Sequence, residues 1–131
     1  MLIAAAALAG GCADGQNTVT RISLQAEVTK AVPGWARRQG FADNPRAVAG
    51  ARLFALSGCM ACHTYLGTGS ANLGAPDLTS AGKGHSVGYF RAYVANPAQF
   101  GNEVMPRFGN LGSDRRLTNL AIFLKASKGP R

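Results

Sequence analysis

Residues Cys59, Met60, Ala61, Cys62 and His63 set two thiols three positions apart, with an imidazole directly after the second. That spacing is one at which haem is joined covalently to protein. Each thiol can form a thioether to one of the two vinyl groups of a single macrocycle. The histidine then comes up beneath the iron, where a neutral imidazole nitrogen ligates it. Two other uses of paired thiols fit less well. A four-ligand zinc site needs a further donor, and the other cysteine and histidine, Cys12 and His85, stand at no familiar zinc spacing. A redox dithiol of the βαβ type wants a strand before it, whereas a helical pattern precedes Cys59 and no strand-rich stretch appears.

An iron held by His63 has one open face, and Met60, Met105, His85 and the lysines are the candidate donors. Met60 sits inside the attachment motif, on the wrong side of the ring plane to reach across. Met105 precedes Pro106 in a non-periodic stretch 42 residues after His63. A loop there can drape over the far face while helices hold its ends, and a thioether is a fitting donor to haem iron. The alternative for Met105 is core filling. His85 is the rival ligand, and it would lower the potential relative to methionine. Beside Ser86 it reads as a surface residue near a helix start.

Three helices must position these groups. The first begins at Asn44 as N-cap with Pro45 in the first turn, carries Val48, Ala51, Phe54 and Ala55 at helical spacing, and ends at Gly58. The second runs from Ser86 to Asn96, with Phe90, Tyr93 and Val94 inward and Pro97 as its stop. The third runs from about Ser113 to Ser127, with a stripe of Leu117, Leu120, Ala121 and Leu124. Long Gly- and Pro-rich loops, 67–85 and 100–112, lie between them, and no repeat or clear strand is seen. A body of about 85 residues with such loops has little core of its own. A bonded apolar macrocycle supplies that core and gives the loops something to wrap.

The chain divides into a signal-like segment, 1–11, a partly flexible tether, 12–43, and a folded domain, 44–131. Met1 to Gly11 is apolar and uncharged, too short to span a bilayer, and similar to the back half of a secretory signal. Leu8 to Cys12 resembles the lipobox of bacterial lipoproteins, with the leucine one position further from Cys12 than usual. That makes Cys12 a lipidation candidate, and an ordinary cleaved signal with an incidental cysteine is the other reading. Within 12–43, Val28, Val32 and Trp35 recur at helical spacing broken by Pro33, so Trp35 is able to pack on the domain. The stretch as a whole reads as a tether.

The formal net charge is +8. A basic surface favours an acidic protein partner or anionic lipid. Nucleic acid is set aside because the basic residues are scattered along the chain and an exported haem protein meets little of it.

The segment from about Val48 to Lys128 resembles a class I monohaem cytochrome c of the small bacterial type. Five elements carry the resemblance in order: Gly50-x-x-Leu53-Phe54, the Cys59–His63 motif, Gly74-Ala75-Pro76-Asp77-Leu78, Met105-Pro106, and Leu120 to Lys125. It implies an all-α fold, the cytochrome c fold, with three or more short helices and long loops wrapped around one covalently bound haem c. It implies that Pro76 offers its carbonyl to the proximal histidine, and that Phe123 crosses over Gly50. The Pro76 role has a physical reason besides, since a ligating imidazole needs an acceptor at its other nitrogen and proline offers a carbonyl with no competing N–H. A plain turn proline is the alternative.

The implied function is one-electron transfer, not enzymic catalysis, with His63 and Met105 as axial ligands. The alternatives are a haem enzyme or gas or redox sensor with an open distal site, and a fixed haem subunit of a larger oxidoreductase complex. The resemblance suggests membrane-bound partners with acidic docking surfaces, a quinol-oxidising complex and a terminal oxidase or reductase. The expected location is extracytoplasmic, lipid-anchored through Cys12. Lys83, Arg107, Lys125 and Lys128 are the candidates for a basic ring around an exposed haem edge.

Overall fold

The computed structural model describes residues 29–131. Cys12, the apolar run 1–11 and the first part of the expected tether lie outside the described residues. Four helices form the frame: α1 (Val32–Gln39), α2 (Pro45–Leu56), α3 (Val87–Ala95) and α4 (Asp114–Ala126). Their ends follow side-chain chemistry. Asn44 accepts the Ala47 N–H at 3.1 Å and Pro45 stands where an N–H has no helical partner anyway. Ser86 caps α3 by accepting from Tyr89, and Ser113 caps α4 by accepting from Arg116, with Asp114 placed favourably in the first turn. Short 3₁₀ turns follow at Cys59–Ala61, Ala81–Lys83 and Pro97–Phe100.

The sequence shows no strand, yet Thr64–Tyr65 (β1) and Thr68–Gly69 (β2) pair antiparallel, Thr64 opposite Gly69 and Tyr65 opposite Thr68. Two-residue strands are too short for alternation to register. The turn between them uses Leu66 and Gly67 at positive φ.

Helix α4 packs across α2, with α3 against α4 and α1 against α2. The α2–α4 crossing depends on Gly50. A Cβ at that position would overlap the Asn119 carbonyl and come within 2.8 Å of the Phe123 Cβ. Only a residue without a side chain permits this approach. Beneath the crossing lies an aromatic core. Trp35, Phe54, Tyr65, Phe123 and Phe41 meet edge-on or tilted, with ring centroids 5.0–6.3 Å apart. Tyr65 is fully buried, and its hydroxyl lies 2.7 Å from Ser127 Oγ, which donates to the Phe123 carbonyl. Burial pushes the Tyr65 phenol up to about 12.

This core corrects the boundary at residue 44. Val32, Trp35, Ala36 and Phe41 are buried, so the folded body starts at least as early as α1. Pro33 does not break the helix. It lies in the first turn, where its fixed φ helps. The body therefore has more apolar core of its own than three helices would give.

One buried polar side chain locks α1 in place. Gln39 Nε2 donates to the Thr79 carbonyl at 2.7 Å, and Gln39 Oε1 accepts from the Lys128 and Gly129 N–H groups at 3.1 and 3.0 Å. The Gly129 N–H is also 3.1 Å from the Thr79 carbonyl, and Arg131 N–H donates to the Arg38 carbonyl at 2.9 Å. Helix α1, the loop around Thr79 and the segment after α4 thus close on one another.

Candidate haem-attachment site

Gly58, at φ 85°, turns the chain out of α2 into the Cys59–Ala61 turn. The N–H groups of Cys62 and His63 both return to the Cys59 carbonyl, at 3.2 and 2.9 Å, which coils the motif tightly. Cys59 and Cys62 are half-buried free thiols. Burial pushes the Cys59 thiol up to about 11. Redox and zinc-binding thiols have the opposite character, a lowered pKa that favours the thiolate.

His63 is buried, and its Nδ1 lies 2.8 Å from the Pro76 carbonyl. With Nδ1–H donating, Nε2 keeps its lone pair and faces a fixed direction. The loop that carries Pro76 is stitched on both sides. Before it, Asn72 N–H donates to the Cys62 carbonyl and Ala75 N–H to the Asn72 carbonyl, at 3.1 and 3.0 Å. After it, Leu78 N–H donates to the Thr64 carbonyl at 2.9 Å. Asp77 accepts from Thr64 Oγ1 at 2.6 Å and from Thr79 N–H at 2.9 Å. Partial burial raises the Asp77 pKa, but those hydrogen bonds outweigh it and hold the carboxyl below its ordinary range.

Met105 stands in the loop after α3, half-buried. This loop is held by polar contacts that the sequence reading missed. Asn102 Oδ1 accepts the Val104 and Met105 N–H groups at 3.0 and 3.1 Å, while its Nδ2 donates to the Tyr93 hydroxyl at 2.9 Å. Phe108 N–H donates to the Val94 carbonyl at 3.0 Å and Arg107 Nε to Asn96 Oδ1 at 2.9 Å. An asparagine two and three residues before the N–H groups it binds is an Asx-type turn, the one signal in the sequence that pointed to it.

A single cleft collects Cys59, His63 and Met105, while Cys62 is not among its lining residues. Phe54, Cys59, His63, Leu78, Val94, Met105, Leu120 and Leu124 line it. The thiol, the imidazole and the thioether are its only heteroatom-bearing side chains, set in an apolar wall built from α2, α3, α4 and both loops. That donor set fits a covalently bound haem: soft and borderline donors, an oriented imidazole, and hydrocarbon around the ring. Among the described residues no cluster of His, Cys, Asp and Glu forms an ordinary metal site. His85 is not a lining residue. It is exposed and stacks on Tyr89 with ring centroids 3.8 Å apart.

A family model described as Cytochrome c matches residues 47–125. The chain belongs to the cytochrome c family. Its cofactor is accordingly covalent haem c, and its chemistry is haem-based electron transfer. Comparison with curated proteins and with solved structures gives no match. The matched segment takes in the motif, the Pro76 loop with Thr79, Met105 and nearly all of α4, and leaves out α1 and the segment after α4 that closes on it.

Proposed function

We propose that this cytochrome c is a one-electron carrier of an extracytoplasmic respiratory chain, with His63 Nε2 and the Met105 thioether sulfur as axial donors. The observation that carries the reading is that His63 and Met105, from loops 42 residues apart, line one cleft with the attachment cysteine Cys59. Bound haem supplies a reversible ferric–ferrous couple. The chain's own residues set its terms. Pro76 fixes the His63 tautomer, and Asn102 holds the Met105 backbone in place. Leu78, Val94, Leu120 and Leu124 keep water from the ring. Methionine ligation favours the ferrous state, and an apolar wall disfavours the extra ferric charge, so both raise the potential. With His63 and Met105 both engaged, the iron would offer no site to oxygen or peroxide, which suits a carrier better than an enzyme.

Docking is proposed at a small, weak interface, because a carrier must leave quickly. Arg107, beside the Met105 loop, is exposed and suited to an acidic partner, such as a quinol-oxidising complex or a terminal oxidase or reductase. Lys125 is less available than its charge suggests, since its Nζ donates to the Gly82 and His85 carbonyls at 3.1 and 2.8 Å. No helix among the described residues is long and apolar enough to cross a membrane. Attachment to a membrane is proposed to run through a lipid on Cys12.

The test is Met105→Ala in the haem-loaded protein. The expected result is a lower midpoint potential, loss of the weak red sulfur-to-iron band of the oxidised form, and rapid carbon monoxide binding by the reduced form. An unchanged spectrum and potential would remove Met105 as a ligand. Rapid carbon monoxide binding by the unmodified protein would favour an enzyme or sensor with an open distal site.

A further inference from the structure

The clasp around Gln39 has a second effect, which is to gather positive charge. Arg37 and Arg38 occupy the last turn of α1 and are exposed. Arg131 donates its N–H to the Arg38 carbonyl, and its guanidinium lies against Gly40, whose missing side chain leaves it room. Lys128 is exposed and bonded through its N–H to Gln39. Lys83 Nζ lies 3.8 Å from where a Cβ of Gly129 would be. These five cations share one pole of the body, and none of them has a carboxylate partner among the described residues. The ion pair seen among the described residues joins Arg91 to Asp114, elsewhere.

The pole is separate from the haem site. None of its five residues lines the cleft. Four of them, Arg37, Arg38, Lys128 and Arg131, lie outside the segment that matches the family. The surface therefore belongs to what this chain adds to the cytochrome body.

We propose that this pole seats the protein on an anionic lipid surface. The character of the surface selects the occupant. A protein interface has an apolar, often aromatic centre inside its polar rim. None of the exposed large apolar residues among those described, Leu56, Leu73, Phe100 and Val104, belongs to α1, to the Ala81–Lys83 turn or to the segment after α4, which carry the cations. A cationic surface with no apolar centre suits a layer of phosphate headgroups, to which each nearby Lys or Arg adds attraction. The position agrees. The chain that leads from Cys12 joins the body at α1, and five to six helical residues, about 8–9 Å, separate Val32 from Arg37 and Arg38. The proposal draws on the membrane-tethered reading for its setting, while the charge cluster exists whether or not Cys12 carries lipid.

The experiment uses haem-loaded protein starting at Ala13, exported under a cleavable signal, so that neither the apolar run nor a lipid contributes. It keeps every residue of the packed body, 32–131. Co-sedimentation is measured with vesicles of phosphatidylcholine alone and with about one-third phosphatidylglycerol. Binding is expected only to the anionic vesicles and is expected to fall steeply as salt rises, because the Debye length shrinks from about 10 Å at 0.1 M. The variant Arg37→Glu/Arg38→Glu/Lys128→Glu should bind at least tenfold more weakly, with an unchanged Soret spectrum. The variant Arg52→Glu/Arg115→Glu/Arg116→Glu removes the same charge elsewhere and should stay within about threefold of the parent. The proposal is overturned by absence of binding, by equal binding to both vesicles, or by equal loss in the two triple variants. Binding to an acidic polypeptide or to RNA with none to vesicles would also overturn it. Lipidation is read separately, from the mass of the native protein, so the two claims fail independently.

Discussion

Gln39→Leu tests whether α1 is part of the folded body. Leucine has nearly the same volume and a higher helix propensity, so neither packing nor helix formation gives a reason for loss. What it removes is polar pairing. The Thr79 carbonyl loses a 2.7 Å donor but keeps the Gly129 N–H, and the Lys128 and Gly129 N–H groups lose a shared acceptor. A net hydrogen bond contributes about 1 kcal/mol, and a buried group left without a partner costs about 1–3 kcal/mol. Gln39 is 3% exposed, but the groups it binds are only partly buried, so the expected loss is about 3 kcal/mol, toward the lower end for three contacts. For a domain near one hundred residues, each kcal/mol moves Tm by roughly 4–8 °C, so a fall of about 12–24 °C is expected. The assay is thermal unfolding of the haem-loaded protein by far-UV circular dichroism, with Arg37→Ala as an exposed control expected to stay within about 0.5 kcal/mol. A Gln39→Leu shift no larger than the control's would mean that the clasp contributes nothing and that 32–39 is an appendage.

The remaining expectations concern the crossing, the distal loop, acid stability and the anchor. Gly50→Ala should destabilise by about 3 kcal/mol, the top of the overpacking range because the obstacle is backbone, whereas Gly34→Ala, with nothing within 4 Å, should stabilise by about 0.5–1 kcal/mol; chemical denaturation reads both. Asn102→Ala should leave the fold intact but speed cyanide binding to the oxidised protein roughly tenfold, since about 1–2 kcal/mol of loop order is lost; an unchanged rate would deny Asn102 a role in holding Met105. Asp77 sits below its unfolded pKa, so its contribution is present above the ordinary carboxylate range and is lost as pH falls through the folded value. The stability gap between the parent and Asp77→Asn should therefore close in acid, and a gap that is constant with pH would refute that assignment. Cys12→Ser should abolish any acyl mass on the native protein, and an unchanged mass would end the lipidation reading.

Much of the site was legible because its signals are local. Cys59, Cys62 and His63 fall within five residues, and their spacing limits what they can bond. Asn44, Ser86 and Ser113 announce helix starts through side chains that reach only two or three residues along the chain. Met105 and Pro76 were harder, since each is one residue of a common type in an aperiodic loop, and order along the chain, not local pattern, singled them out. The hairpin 64–69 is too brief to leave a period.

The packing of residues 32–41 leaves little trace in the sequence for a different reason. Between Val28 and Phe41 the large apolar residues are few, and Pro33 reads as a breaker when its place in the helix is unknown. What makes α1 structural is long-range. Trp35 packs between Phe54 and Tyr65, and Gln39 bonds to groups 40, 89 and 90 positions away. A buried glutamine gives no sequence signal, because its value lies in partners that only the fold brings near. The same contacts tie α1 to Thr79, two residues after the Asp77 that braces the Pro76 loop. That connection makes α1 more than a spacer, because the contacts that fix its position run on into the loop whose Pro76 carbonyl meets His63.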